Sequence, residues 1–136
     1  MISEPIVLDT DVASLSLKRK LTPNVLRLLS GRVPLITFVT LAELTRWVEQ
    51  RQWGAHRREL LARWLVGKHV LHSDDDVART WGAITAYAYL RGRPRPTNDT
   101  WIAACCLAYD LPLATRNVKD FEDFAECEGL RILGGW

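Results

Sequence analysis

The sequence predicts an α/β fold: a central, mainly parallel sheet flanked by helices. Two observations predict it. Short apolar runs, each the length of a buried strand, recur along the chain, and longer segments with helical apolar spacing separate them. Proline and glycine fall at the joins between the two kinds of segment. The 136 residues are 48% hydrophobic and 25% charged. That balance suits a soluble chain able to bury a core, and residues 1–136 are expected to form one domain.

Ile6–Asp9 reads as the first buried strand. A broken helical region comes next, with Pro23 at a helix start and Gly31 after its end. Leu35–Thr37, entered from Pro34, is the second strand. Thr40 to about Trp53 reads as a helix with Leu41, Leu44 and Val48 on one face, and Arg57–Val66 as another. Val70–His72 is a third strand. A long helix from Ser73 to about Arg91 carries Val77, Trp81, Ile84 and Ala88 on its stripe, and Gly92 stops it. After the extended loop Arg93-Pro94-Arg95-Pro96, Asp99–Tyr109 is apolar nearly all round and reads as a central buried helix. Leu113–Thr115, a short helix over Asp120–Glu126, and Arg131–Leu133 complete the pattern.

Other features narrow the function classes. No apolar run approaches the roughly 20 residues of a membrane span. Met1-Ile2-Ser3-Glu4-Pro5 has neither a basic region nor an apolar signal segment, so a cytoplasmic location is expected. Cys105, Cys106 and Cys127 have no CxxC partner and read as buried free thiols, and His56, His69 and His72 add no zinc spacing. Net charge is +2 but uneven: residues 1–118 carry 16 Lys and Arg against 11 Asp and Glu, and residues 119–136 carry 2 against 5. A locally basic surface is therefore available to a phosphate-rich partner.

Three acids stand where elements begin or end: Asp9, Glu43 and Asp99. In parallel α/β sheets, ligands gather at the carboxyl ends of the strands. If folding unites these residues there, the product is an oxygen-ligand cluster of the kind that hard dications prefer. Each also has a structural reading. Thr40-x-x-Glu43 is a capping-box pattern, Asp99 suits the positive end of its helix, and Asp9 or Asp11 can cap the segment after the first strand. The densest acidic run, Ser73-Asp74-Asp75-Asp76, reads as a helix start rather than a metal site.

Four segments in order decide between these readings: Val7-Leu8-Asp9-Thr10-Asp11-Val12-Ala13-Ser14, Thr40-Leu41-Ala42-Glu43-Leu44, Asn98-Asp99-Thr100-Trp101-Ile102-Ala103-Ala104, and Leu113-Ala114-Thr115-Arg116-Asn117-Val118-Lys119-Asp120-Phe121. Together they resemble the PIN-domain ribonucleases, and within them the VapC-type toxins of type II toxin–antitoxin pairs, over residues 6 to about 124. The resemblance implies a three-layer sandwich and Mg²⁺- or Mn²⁺-dependent cleavage of RNA by an activated water. Asp9, Glu43, Asp99 and Asn117 match the catalytic positions. Asp9 and Asp99 are expected as direct metal ligands, and Glu43 as a ligand through water. Thr10, Asp11 and Thr115 are expected to orient them. Many relatives carry a fourth acid where this chain has Asn117, whereas toxins of this type often have the Thr-Arg-Asn found here at Thr115-Arg116-Asn117. Asp120, one helical turn on, is the residue expected to supply that charge.

Arg91, Arg93 and Arg95 precede Asp99 in a proline-stiffened loop, and Arg46 and Arg116 flank the acids. All five are expected to face RNA phosphates. The resemblance also implies a VapB-like antitoxin and a toxin homodimer, with Trp47 and an exposed Trp53 as anchors for the partner. Transfer RNA and a ribosomal RNA loop are both open as substrates. Two other readings remain: an RNA-binding or regulatory module without turnover, and a haloacid-dehalogenase-like phosphotransferase in which Asp9, within Asp9-Thr10-Asp11, is the nucleophile.

Overall fold

The computed structural model describes residues 4–134. Five strands among them form one all-parallel sheet in the order β3-β2-β1-β4-β5. The strands are β1 (Glu4–Leu8), β2 (Arg32–Thr37), β3 (His69–Leu71), β4 (Leu113–Ala114) and β5 (Ile132–Leu133). The helices are α1 (Thr10–Leu17), α2 (Pro23–Leu29), α3 (Phe38–Gln50), α4 (Ala55–Val66), α5 (Asp75–Leu90), α6 (Thr97–Ala108) and α7 (Val118–Glu128).

The two-residue side-chain period of the strands divides the core into two layers. Val7, Leu35, Leu71 and Leu113 face one side, where they meet Val77 and Ile84 of α5, the buried run Ile102–Cys106 of α6, and Phe121 and Phe124 of α7. Ile6, Leu8, Ile36 and Ala114 face the other side, against Val12 and Ala13 of α1, with Trp64 and Leu65 of α4 packed on them. The result is the three-layer arrangement expected. Pro34 is tolerated inside β2 because the β3 ladder begins only at Leu35, opposite His69.

Caps set the helix starts, and they differ in detail from the sequence expectation. Thr37, not Thr40, caps α3: its hydroxyl accepts the Thr40 N–H at 3.2 Å. Thr40 therefore lies within the first turn, and the Thr40–Glu43 capping box is not made. Asp74, not Ser73, caps α5 by accepting the Val77 N–H at 2.9 Å. The acidic run thus serves a helix amino terminus, as its structural reading held. Gly92 ends that helix with a φ of 72°, where residues with a Cβ are disfavoured.

Helix α3 stops at Gln50, short of Trp53. The chain reverses through Gln52, at φ 49°. This drops Trp53 onto Leu44, Val48 and Leu61, where it is only 9% exposed. The expected exposure of Trp53 rested on continuing the helix through it, and that helix is absent. Trp47 is half-buried at the edge of the same cluster. Cys105 and Cys106 are buried as expected, but Cys127 is exposed, on the outer face of α7.

Candidate active site

Parallel strands align their carboxyl ends, and the functional side chains sit at those ends and on the helices entered from them. Asp9 comes directly after β1 and is the amino-terminal cap of α1. Its Oδ1 accepts the Thr10 N–H at 2.8 Å. Its Oδ2 accepts the Thr115 hydroxyl at 2.8 Å, just past β4. The Asp9 N–H extends the β1–β4 ladder onto the Ala114 carbonyl at 2.9 Å. Backbone and side chain together thus fix a carboxylate that is only 6% exposed.

The Thr10 hydroxyl links this strand end to α3. It donates to Glu43 Oε1 at 2.9 Å and lies 2.9 Å from the Thr40 hydroxyl. With its one proton committed to Glu43, Thr10 accepts the proton of Thr40. Thr40 was legible in the sequence only as a cap. Its place three residues before Glu43, on the same helical face, is the signal that pointed here. Asp11, in the first turn of α1, accepts from the Asn117 side-chain amide, and the Asn117 N–H donates to the Thr115 hydroxyl at 3.0 Å.

Asp99 enters from the first turn of α6, which packs in the core and brings the carboxylate over the same edge. Burial raises its pKa to about 6, and the charges of Asp9, Asp120, Glu43 and Asp11 add to the rise. Asp9 is also pushed up to about 6. Burial is the main cause, hydrogen bonds from Thr115 and Thr10 oppose it, and the charges of Asp11 and Glu43 reinforce it. Five carboxylates therefore repel one another across one site. Among the described residues none of the five has an ion-pair partner; the arginines pair with other acids instead.

The donor set suits a hard dication, being all oxygen and net negative. Among the described residues, no three Asp, Glu, His or Cys side chains close a cage for an ion by themselves. A cation bound here relies on water for much of its shell, as Mg²⁺ ordinarily does. Asp9 retains one acceptor position on each oxygen beside its hydrogen bonds.

A shallow groove of about 300 Å³ adjoins Glu43, lined also by Phe38, Arg46, Asn98 and Trp101. Trp101 is braced by Trp81, stacked at 4.7 Å, and by the edge of Phe38. Arg46 is exposed beside the acids, as is Arg116 after Thr115.

The loop arginines are placed differently from the sequence expectation. Arg91 and Arg95 both bond Asp123 of α7, through Nη1 at 3.2 Å to Oδ1 and through Nε at 2.7 Å to Oδ2. The Arg95 side chain is only 5% exposed. Its guanidinium lies 4.2 Å from the Phe124 ring centroid, and Nη1 stands 2.7 Å from Glu128 Oε1 as a close ion pair. These two cations fasten the loop to α7 and are not offered to a ligand. Arg93, 70% exposed and 3.9 Å from Asp123, alone of the three projects outward.

A PIN-domain family model matches residues 6–126. The chain belongs to the PIN-domain family. Within it, the ribonuclease VapC1 of Haemophilus influenzae strain R2866 is 26% identical over 128 residues, spanning 90% of this chain and 93% of that protein. The fold is shared with VapBC2 from Rickettsia felis bound to a promoter DNA fragment, at a TM-score of 0.83 and 20% identity over 97% of this chain and 99% of that one. VapBC-5 from Mycobacterium tuberculosis, a member of the VapBC family of toxin–antitoxin systems, gives a TM-score of 0.70 at 29% identity over 96% and 98%. The acidic site therefore lies in a PIN domain. The phosphotransferase reading loses its ground to the PIN-domain match over residues 6–126. No helix among the described residues is long and apolar enough to cross a membrane.

Proposed function

We propose that this chain is a metal-dependent endoribonuclease, the toxin of a VapBC-type pair, that hydrolyses RNA phosphodiesters with an activated water. The observation that carries the reading is the meeting of Asp9, Glu43 and Asp99 at one sheet edge, none of them with an ion-pair partner among the described residues. The similarity to a protein named ribonuclease VapC1 supports the RNA substrate and the reaction class.

Asp9 and Asp99 would hold the cation. Glu43, steadied by the Thr10 hydroxyl, holds a water on the approach to the phosphorus. Thr115 and Thr10 fix Asp9, and Asn117 fixes Asp11. Asp120, exposed on the first turn of α7, is the fourth acid of the site. Mg²⁺ or Mn²⁺ bound there offsets phosphodiester charge and lowers the pKa of water. Arg46, Arg93 and Arg116 meet the RNA phosphates. The products are a 3′-hydroxyl and a 5′-phosphate.

The same reading includes a VapB-like antitoxin, since relatives such as VapBC-5 are toxin–antitoxin systems. It also includes a homodimer, for which Tyr89 and Leu90, 78% and 82% exposed at the end of α5, offer apolar surface. Trp47 remains a partner contact under this reading, and Trp53 does not.

Sequencing RNA ends after brief expression of the wild type and of Asp99→Asn tests the function. New 5′-phosphate ends at defined sites, absent with the variant, are expected. No new ends with either protein, together with retained RNA binding, would establish the non-catalytic RNA-binding module instead.

A further inference from the structure

One concentration of positive charge is not absorbed by ion pairs. A groove of about 450 Å³ lies where the carboxyl ends of α1 and α3 meet the start of α4, lined by Lys18, Lys20, Arg51, Trp53 and Arg57 together with two leucines. Its lining holds four cations and no carboxylate. Nearby arginines on the same helices are already occupied: Arg58 pairs with Glu49 at 2.9 Å and Arg63 with Glu59 at 2.7 Å. Arg51 and Arg57 are held differently. Their guanidinium carbons stand 5.0 Å from the Trp47 centroid and 5.7 Å from the Trp53 centroid. An indole face orients a guanidinium without consuming its N–H donors, which leaves the fork free for phosphate oxygens.

A second groove leads from this one toward the acidic site. Lys20 also lines a smaller groove with Thr22, Val25 and Arg116. Arg116 directly follows Thr115, whose hydroxyl holds Asp9. Basic side chains therefore run from the rim of the carboxylates through Arg116 and Lys20 to Lys18, Arg51 and Arg57. Helix α1, about 12 Å long at roughly 1.5 Å per residue, runs from its cap Asp9 in the acidic site to Lys18 in the groove.

We propose that this basic groove binds the sugar–phosphate backbone of the RNA strand at a distance from the scissile phosphate, and so holds a substrate that the acidic site by itself repels. The inference rests on the ribonuclease reading for its choice of polyanion. An acidic protein segment would meet the same charges, but only a strand that must also reach Asp9 and Asp99 has use for the line through Lys20 and Arg116.

The test uses the full chain carrying Asp9→Asn to prevent turnover, and labelled single-stranded RNA of about 12 nucleotides, within the span of known single-strand sites. Affinity is read by fluorescence anisotropy at several salt concentrations. Arg51→Gln with Arg57→Gln is expected to weaken binding about tenfold and to flatten the plot of log K against log salt by about 1.4, at about 0.7 for each lost phosphate contact. Arg51→Lys with Arg57→Lys is expected to keep the salt slope. Lys18→Gln with Lys20→Gln, away from the indoles, gives the same readout if the arginine pair lowers thermal stability. An unchanged slope in both pairs, or a loss confined to a Glu-rich peptide probe, overturns the proposal. Cleavage by the wild type is scored separately. RNA cutting with an unchanged slope overturns the groove alone, whereas a flattened slope without any cutting overturns the ribonuclease reading alone.

Discussion

The Thr115 hydroxyl donates at 2.8 Å to Asp9 Oδ2, joining residues 106 positions apart across adjacent parallel strands. Both groups are buried, so this bond decides where one carboxylate oxygen points and how readily it stays ionised. Thr115→Val keeps the shape and removes the donor. The Asp9 pKa is then expected to rise further above about 6, and Mg²⁺ affinity to fall about tenfold or more, as when a group supporting a metal ligand is lost. Metal titration of RNA cleavage measures the second effect. The acid limb of the pH–rate profile, moving to higher pH, measures the first.

Burying Asp9 among like charges destabilises the metal-free protein at neutral pH. Its pKa is about 6 folded, against about 3.9 unfolded. The folded state therefore binds the extra proton between those values. Stability from this group is fully present below about pH 4, falls as pH rises to about 6, and is level above that. Asp9→Asn removes the charge and keeps one acceptor. It is expected to stabilise the metal-free chain above pH 7 by about 1 kcal/mol, or roughly 4 °C in Tm. Thermal melts in EDTA from pH 4 to 8 test this. A variant that melts below wild type at pH 8 would show that hydrogen bonding to Asp9 outweighs the repulsion.

The pairing of Arg95 with Asp123 and Glu128 predicts a stability defect where the sequence predicted a binding defect. Arg95→Met strands Glu128 and leaves Asp123 to Arg91, and is expected to cost about 2–4 kcal/mol, as breaking a largely buried pair does. Chemical denaturation measures it. The Arg91 and Arg95 guanidiniums hold the Asp123 carboxyl well below the usual range. This depressed pKa has the opposite sign to that of Asp9. The stability it contributes is present above about pH 4, where the unfolded carboxyl is ionised, and is lost as pH falls below that. Asp123→Asn is therefore expected to narrow the gap to wild type in melts below pH 3.

Strand positions were legible in the sequence within one to three residues, β2 starting at Arg32 rather than Leu35, because short apolar runs such as Leu35–Thr37 can be satisfied only inside a sheet with both faces covered. Asp9, Glu43, Asp99, Thr10 and Thr115 were legible because local motifs fix each of them beside a strand end or helix start. The role of Arg95 was not, because its partner Asp123 lies 28 residues on and α7 reaches it only through packing. The burial of Trp53 was not legible either. Nothing local announces the end of α3 at Gln50, and the left-handed turn at Gln52 uses a residue with no preference for it. The basic groove draws on α1, its adjoining loop, the α3–α4 turn and α4, so no window of sequence contains it.

Asn117 brings no charge to the acidic site, and its amide donates to Asp11. Asn117→Asp replaces that donor with a negative charge facing another carboxylate. Without metal, the variant is expected to melt several degrees below wild type, because the lost hydrogen bond and the new repulsion both favour unfolding. With Mg²⁺ the order is expected to narrow or reverse. A ligand that binds only the folded state stabilises it by RT ln(1 + [L]/Kd), and a further carboxylate lowers Kd. The discriminating quantity is the rise in Tm between EDTA and about 5 mM Mg²⁺, a saturating level for a site of sub-millimolar Kd. A larger rise in the variant than in wild type shows that position 117 faces the bound cation. Equal rises show that Asn117 acts only through Asp11, and that Asp120 alone carries the fourth charge.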